Sequence, residues 1–178
     1  MQLYNILIID DQEFKLKEID NVINKECSIC DYAMDLLTAK KKIKQNKYEF
    51  VLLDMTISDG ISNNEFVGID ILNYLDTFEI ATPVIVITQF YDFNDLTKSA
   101  DKNGFYLDNK KYNKELTYNF STQIDIHELP HLHLYLSENY RNYLGCVLYI
   151  QNNSLWSKSL KTLLAKLGGE GYENIIIG

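Results

Sequence analysis

The sequence predicts an α/β fold built on a doubly wound, five-stranded parallel sheet, and three observations predict it. Short apolar runs rich in β-branched residues recur at about 3–9, 27–32, 50–54, 83–88 and 145–150. Amphipathic helical patterns lie between most of them. Two of the runs stop at carboxylates, Asp10 and Asp11 after Leu7-Ile8-Ile9 and Asp54 after Val51-Leu52-Leu53. Runs this apolar suit strands buried on both faces of a sheet. Alternation of strand and helix implies right-handed crossovers between parallel strands.

Taken in chain order, residues 12–24 place Leu16, Ile19, Val22 and Ile23 on one helical stripe, and 34–46 do the same with Leu36, Ala39 and Ile43. The segment 66–79 carries Ile69, Leu72 and Leu75, with Phe78 near the stripe's edge. The best-defined helix is 154–167, where Ser154 is placed to cap and Trp156, Leu160, Leu163, Leu164 and Leu167 share a face before Gly168-Gly169 stops it.

Two segments break this rhythm. The connection from Asp54 through Asp59-Gly60 and Ser62-Asn63-Asn64-Glu65 is longer than a strand-to-helix loop requires. The chain between Thr88 and the run at 145 is also about twice as long as a loop, helix and loop need. Its Asn-, Asp-, Lys- and Tyr-rich part reads as an insertion over 91–126 with a hairpin near 105–118, folded back on the body through its aromatics or offered to a partner. A tail, 168–178, ends in Ile175-Ile176-Ile177, a run that must pack on the body, pair with a strand or meet a partner.

At 178 residues the chain fits a single domain, 1–178, with a full core. Its 25 acidic residues outnumber 17 basic ones, and Lys40-Lys41-Lys42 and Lys110-Lys111 stand in acidic surroundings, which argues against binding nucleic acid. No stretch has the length of a membrane span and no signal-peptide pattern opens the chain, so a cytoplasmic protein is expected. Cys27 and Cys30 form a lone C-x-x-C without a second ligand pair, and with Cys146 are expected to be ordinary buried thiols.

Ligands of open α/β sheets bind outside the carboxyl ends of the strands, so Asp10, Asp11 and Asp54 are expected to meet in one crevice. Three carboxylates that close need a cation, and a sparse all-oxygen set suits Mg²⁺. One of them can also serve as nucleophile toward a phosphoryl group. A competing motif, His127-Glu128-Leu129-Pro130-His131 with His133 nearby, matches H-E-x-x-H formally. Pro130 restricts any helix to start near Glu128, and a buried Leu129, Leu132 and Leu136 stripe turns His127 and His131 outward, against a catalytic zinc site.

The runs Ile6-Leu7-Ile8-Ile9-Asp10-Asp11, Val51-Leu52-Leu53-Asp54-Met55, Asp59-Gly60 and Pro83-Val84-Ile85-Val86-Ile87-Thr88, in this order, resemble the receiver domain of two-component response regulators. The resemblance implies the flavodoxin-like receiver fold, strand order 2-1-3-4-5, with the insertion between strand 4 and helix 4. It implies Asp54 as phosphoacceptor, Asp10 and Asp11 as the metal-binding acidic pair, the Thr56 carbonyl as a further Mg²⁺ ligand and Thr88 as the phosphoryl-contacting hydroxyl. Thr88 and Tyr149 match the switch pair. The chain departs from the family where receivers carry a Lys after the switch aromatic; Asn152 stands there, a neutral amide where a positive charge is usual. Lys110, Lys111 or Lys114 of the insertion are candidates to replace it, and Asn152→Lys would restore it.

The reading is a stand-alone Mg²⁺-dependent phosphoacceptor in a phosphorelay, with a sensor histidine kinase or phosphotransfer protein upstream and a protein partner downstream. It is not an enzyme beyond its own phosphorylation and dephosphorylation. The alternative is a pseudo-receiver that acts as an adaptor independently of phosphorylation.

Overall fold

The computed structural model describes residues 3–55, 68–88, 105–107, 133, 136–149, 151–167 and 171–178. Six strands form one sheet: β1 (Tyr4–Ile9), β2 (Ser28–Ala33), β3 (Phe50–Leu53), β4 (Val84–Thr88), β5 (Phe105–Leu107) and β6 (Tyr143–Leu148). Among the described residues four α-helices accompany them: α1 (Glu13–Val22), α2 (Leu36–Gln45), α3 (Ile69–Thr77) and α4 (Leu155–Lys166). The sheet order is β2-β1-β3-β4-β6-β5. Its first five strands are parallel and reproduce the expected 2-1-3-4-5 order, with β6 as the fifth parallel strand. The added edge strand, β5, lies in the 91–126 segment and runs antiparallel to β6, pairing Phe105 with Val147 and Leu107 with Gly145.

Period-two alternation sorts the strand side chains between two cores. Leu7, Ile9, Val51, Leu53, Val84 and Val86 pack with Leu36, Ala39 and Ile43 of α2 and Ile71, Leu72 and Leu75 of α3. Their neighbours Ile6, Ile8, Leu52, Ile85 and Ile87 face the other way, onto Leu16 and Ile19 of α1 and Trp156, Leu160, Leu163 and Leu164 of α4. Successive Cβ atoms leave a strand on opposite faces, so a continuous apolar run serves both layers.

The tail does pack on the body. A 3-10 turn at Tyr172–Ile175 buries Ile175 and Ile176, Ile176 bridges antiparallel to Ile23, and the Ile177 N–H donates to the Val22 carbonyl at 2.7 Å. Among the described residues no helix is long and apolar enough to cross a membrane.

Some local expectations are corrected. Ser154 precedes α4 with helical dihedrals and makes no side-chain cap; Asn153 Oδ1 instead accepts from the Leu155 N–H at 2.8 Å. Cys27 lies in the turn ahead of β2, and Cys30, within β2, is only half-buried. In α3 it is Ile71, not Ile69, that is fully buried. Fully buried in α1 is a residue the apolar stripe omits, Lys15.

Trp156 is buried in the α1/α4 core with its ring 5.4 Å from that of Tyr149. Trp156→Ala should lower stability by about 3–5 kcal/mol, measured by urea unfolding, through lost burial and the cavity left behind.

Candidate functional site

The register of the central strands builds the site. Ile9 is opposite both Ala33 and Leu53, and Leu53 is opposite Val86. The residues that follow, Asp10 and Asp54, therefore leave adjacent strands at one level. Neighbouring strands lie about 4.8 Å apart, so the two carboxylates cannot avoid each other. β1 is also where the sheet reverses its winding, with β2 on one side and β3 on the other, the position at which open α/β sheets form their ligand crevice. Backbone hydrogen bonds carry the alignment past the strand ends: the Asp10 N–H donates to Ala33 and the Asp54 N–H to Ile9, both at 3.0 Å.

Carboxylate oxygens of Asp10, Asp11 and Asp54 all lie within 4.8 Å of one another. Asp10 and Asp54 are buried, and Asp11 is half-buried on the rim. Thr88, ending β4, is fully buried, and its carbonyl accepts from the Tyr149 N–H at 3.0 Å, so the two switch candidates are joined through the backbone. Tyr149 is itself buried, its hydroxyl donating to Glu18 Oε2 of α1. Burial, and then that hydrogen bond to a carboxylate, push the phenol well above its ordinary value. Asn152 is exposed, in a left-handed conformation at φ 59°, with its N–H 3.3 Å from Glu18 Oε1. Thr56 lies outside the described residues, as do His127, His131, Lys110, Lys111 and Lys114. His133 is described and buried, its Nδ1 2.8 Å from the Tyr143 hydroxyl, a packing role inside the fold.

The sequence reading missed the cation at the centre of this crevice. Lys15 Nζ lies 2.9 Å from Asp10 Oδ2 and 3.5 Å from Asp54 Oδ1. It donates to the Ile87 carbonyl at 2.8 Å and stands 5.0 Å from the centroid of the Tyr149 ring. A positive charge therefore does reach the carboxylates, from α1 and not from the loop after β6. Its sequence signal was its helical phase: Lys15 is four residues ahead of Ile19 and adjacent to Leu16, on the buried face.

Burial pushes the Asp10 carboxyl up to about 6, opposed by Lys15 and reinforced by the charge of Asp54. An ion pair at about 4 Å gains on the order of 4 kcal/mol at an effective dielectric near 20, comparable with the several kcal/mol that desolvating each charge costs. The cluster is therefore close to neutral for folding, and its presence is better explained by chemistry than by stability. Formally, three carboxylates and one ammonium leave two negative charges, which one divalent cation balances. Hard carboxylate oxygens in this number, one of them half-buried, fit Mg²⁺, an ion that keeps several of its waters.

The floor of the crevice depends on a glycine for reasons of space. The Gly68 N–H donates to the Met55 carbonyl at 2.8 Å, and a Cβ at Gly68 would stand 2.3 Å from the Asp54 carbonyl oxygen and 2.7 Å from Met55 Cα. Both are backbone atoms and cannot rotate aside. Gly68→Ala should cost about 1–3 kcal/mol by overpacking, and should perturb the Asp54 and Met55 amide resonances more than those of β2. Asp11→Asn, which keeps the side chain's shape and removes its charge, should weaken Mg²⁺ binding sharply in a titration followed by amide NMR.

The family model of the response regulator receiver domain matches residues 6–117. Solved receiver domains are similar in structure over about half of the chain. The signal receiver domain of a putative LuxO repressor protein from Vibrio parahaemolyticus is 18% identical, with 56% of this chain and 69% of that one covered at a TM-score of 0.44. A CheY-like receiver domain protein from Methanospirillum hungatei is 19% identical, with 56% and 75% covered at 0.44. The receiver domain of the Francisella response regulator 1452 is 20% identical, with 55% and 74% covered at 0.42. No curated protein matches the chain.

Proposed function

Since the chain belongs to the receiver-domain family of response regulators, we propose that it works as an Mg²⁺-dependent phosphoacceptor in two-component signalling, with Asp54 as the residue phosphorylated. The observation that carries this reading is the convergence of Asp10, Asp11 and Asp54 at the ends of β1 and β3. Asp10, Asp11 and Asp54 are the side chains to hold the ion, together with the Thr56 carbonyl. Bound there, Mg²⁺ would offset charge on the acceptor and on the transferred group.

The chain's own residues do the remaining work. An Asp54 oxygen attacks phosphorus, the bond from phosphorus to the donor's nitrogen or oxygen breaks, and the electron pair of that bond leaves with the donor. The product is an aspartyl phosphate, a mixed anhydride that water later cleaves to inorganic phosphate and the original carboxylate. Thr88, at the end of the strand next to β3, would supply the hydroxyl that contacts the phosphoryl group, and its backbone link to Tyr149 supports coupling between the two. The donor is a phosphohistidine of a kinase or phosphotransfer protein, and a downstream protein reads the result.

The adaptor reading drew its support from the neutral Asn152. Lys15 weakens that support, because the crevice contains an ammonium after all.

Incubation with acetyl phosphate and Mg²⁺ should add one phosphoryl group to the intact mass of the native chain, and chelation of Mg²⁺ should abolish it. Asp54→Ala should remain unmodified. A modification that survives in Asp54→Ala, or none in the native chain, would favour the adaptor.

A further inference from the structure

We propose that Lys15 is the residue whose ammonium binds the phosphoryl oxygens on Asp54, taking over from α1 the part that the family's lysine plays after the fifth parallel strand. The proposal rests on the reading of Asp54 as phosphoacceptor. Three observations carry it.

The first is position. Lys15 Nζ is 3.5 Å from Asp54 Oδ1, and its hydrogen bond to the Ile87 carbonyl places it on the β4 side of the crevice, next to Thr88. A phosphoryl group on Asp54 that meets the Thr88 hydroxyl also meets this ammonium. The second is Asn152, exposed, turned by its positive φ, and offering the crevice no charge. The third is support. Lys15 is fully buried, so its four-carbon stem is held by packing, and the Tyr149 ring faces its ammonium. One turn further along α1, Glu18 accepts from the Tyr149 hydroxyl and lies within 3.3 Å of the Asn152 N–H. The same helix thus holds both the cation of the crevice and the switch aromatic. Removing a lysine that served only to neutralise Asp10 would cost stability, because the carboxylates would stay buried without their partner, whereas a lysine that binds phosphoryl oxygens reports in the affinity for a phosphoryl mimic.

Lys15→Met separates these roles, because the two cations of the site compete for the same carboxylates while cooperating on the phosphoryl group. With Mg²⁺ and beryllium fluoride as the probe, followed by amide NMR, the variant should bind beryllofluoride about tenfold to a hundredfold more weakly than the native chain. It should bind Mg²⁺ alone more tightly, since a repelling charge has gone. A purely structural role would weaken both. Equal beryllofluoride affinity in the two proteins, or a parallel loss of Mg²⁺ and beryllofluoride binding in a folded variant, would overturn the proposal. The native chain provides a measurement that does not depend on the variant's folding: the Lys15 ammonium ¹H–¹⁵N resonance should move when beryllofluoride is added to the Mg²⁺ form. If the Asp54 amide moves and that resonance does not, Lys15 is not the ligand. If the native chain binds no beryllofluoride at all, the phosphoacceptor reading itself fails.

Discussion

Two carboxylates at the ends of neighbouring parallel strands repel each other, and the structure is organised around offsetting that repulsion. The β1–β3 register fixes Asp10 beside Asp54 and cannot relax, because a slip of one residue would turn every strand side chain to the opposite core. Burial itself, by removing water from the charge, holds the Asp10 carboxyl well above the ordinary aspartate range, and the neighbouring charge of Asp54 adds to it. Lys15 offsets part of it from within, and a divalent ion is suited to offset the rest. The cost of gathering these charges is met by the two apolar layers on either side of the sheet, whose burial does not depend on the crevice.

The offsetting cation comes from α1 and not from the position of Asn152, so the crevice is tied to that helix. Lys15 and Glu18 lie one turn apart, the first among the carboxylates and the second on Tyr149 and the loop after β6. On the proposed reading, a phosphoryl group on Asp54 would act directly on the helix that holds Tyr149. Movement of Tyr149 would be coupled to α1 through a half-buried hydrogen bond to Glu18, and to Thr88 through buried backbone. The other edge of the sheet is altered too, since β5 covers the flank of β6 that would otherwise present unpaired backbone groups.

Much of this was legible in the sequence, for identifiable reasons. Strands buried on both faces carry continuous apolar runs, so β1, β3 and β4 were visible, and carboxylates stopping two of those runs marked the crevice. The stripe of α2 was complete because nothing polar interrupts Leu36, Ala39 and Ile43. Lys15 was not legible, since a lysine on an amphipathic helix is ordinarily a solvated residue and only tertiary placement turned this one inward. Its phase with Ile19 was the available clue, while the neutral Asn152 pointed to the loop after β6 and to the lysines of the insertion. Short polar chemistry was equally hard to read: Asn153, not Ser154, bonds the start of α4, because the dihedrals of Ser154 are already helical. The strand at 105–107 falls within the hairpin expected near 105–118, but its pairing partner was not legible. Three residues carry too little periodicity, and that pairing is decided by the open edge of β6.

The most direct test of this account is a crystal structure of the chain with Mg²⁺ and beryllium fluoride. The account predicts beryllium bonded to an Asp54 carboxylate oxygen, Mg²⁺ held by Asp10, Asp11 and Asp54, and Lys15 Nζ within hydrogen-bonding distance of a fluorine. A crevice without beryllofluoride, with Lys15 still closed on Asp10 and Asp54, would contradict it and would make this cluster a structural element of the fold.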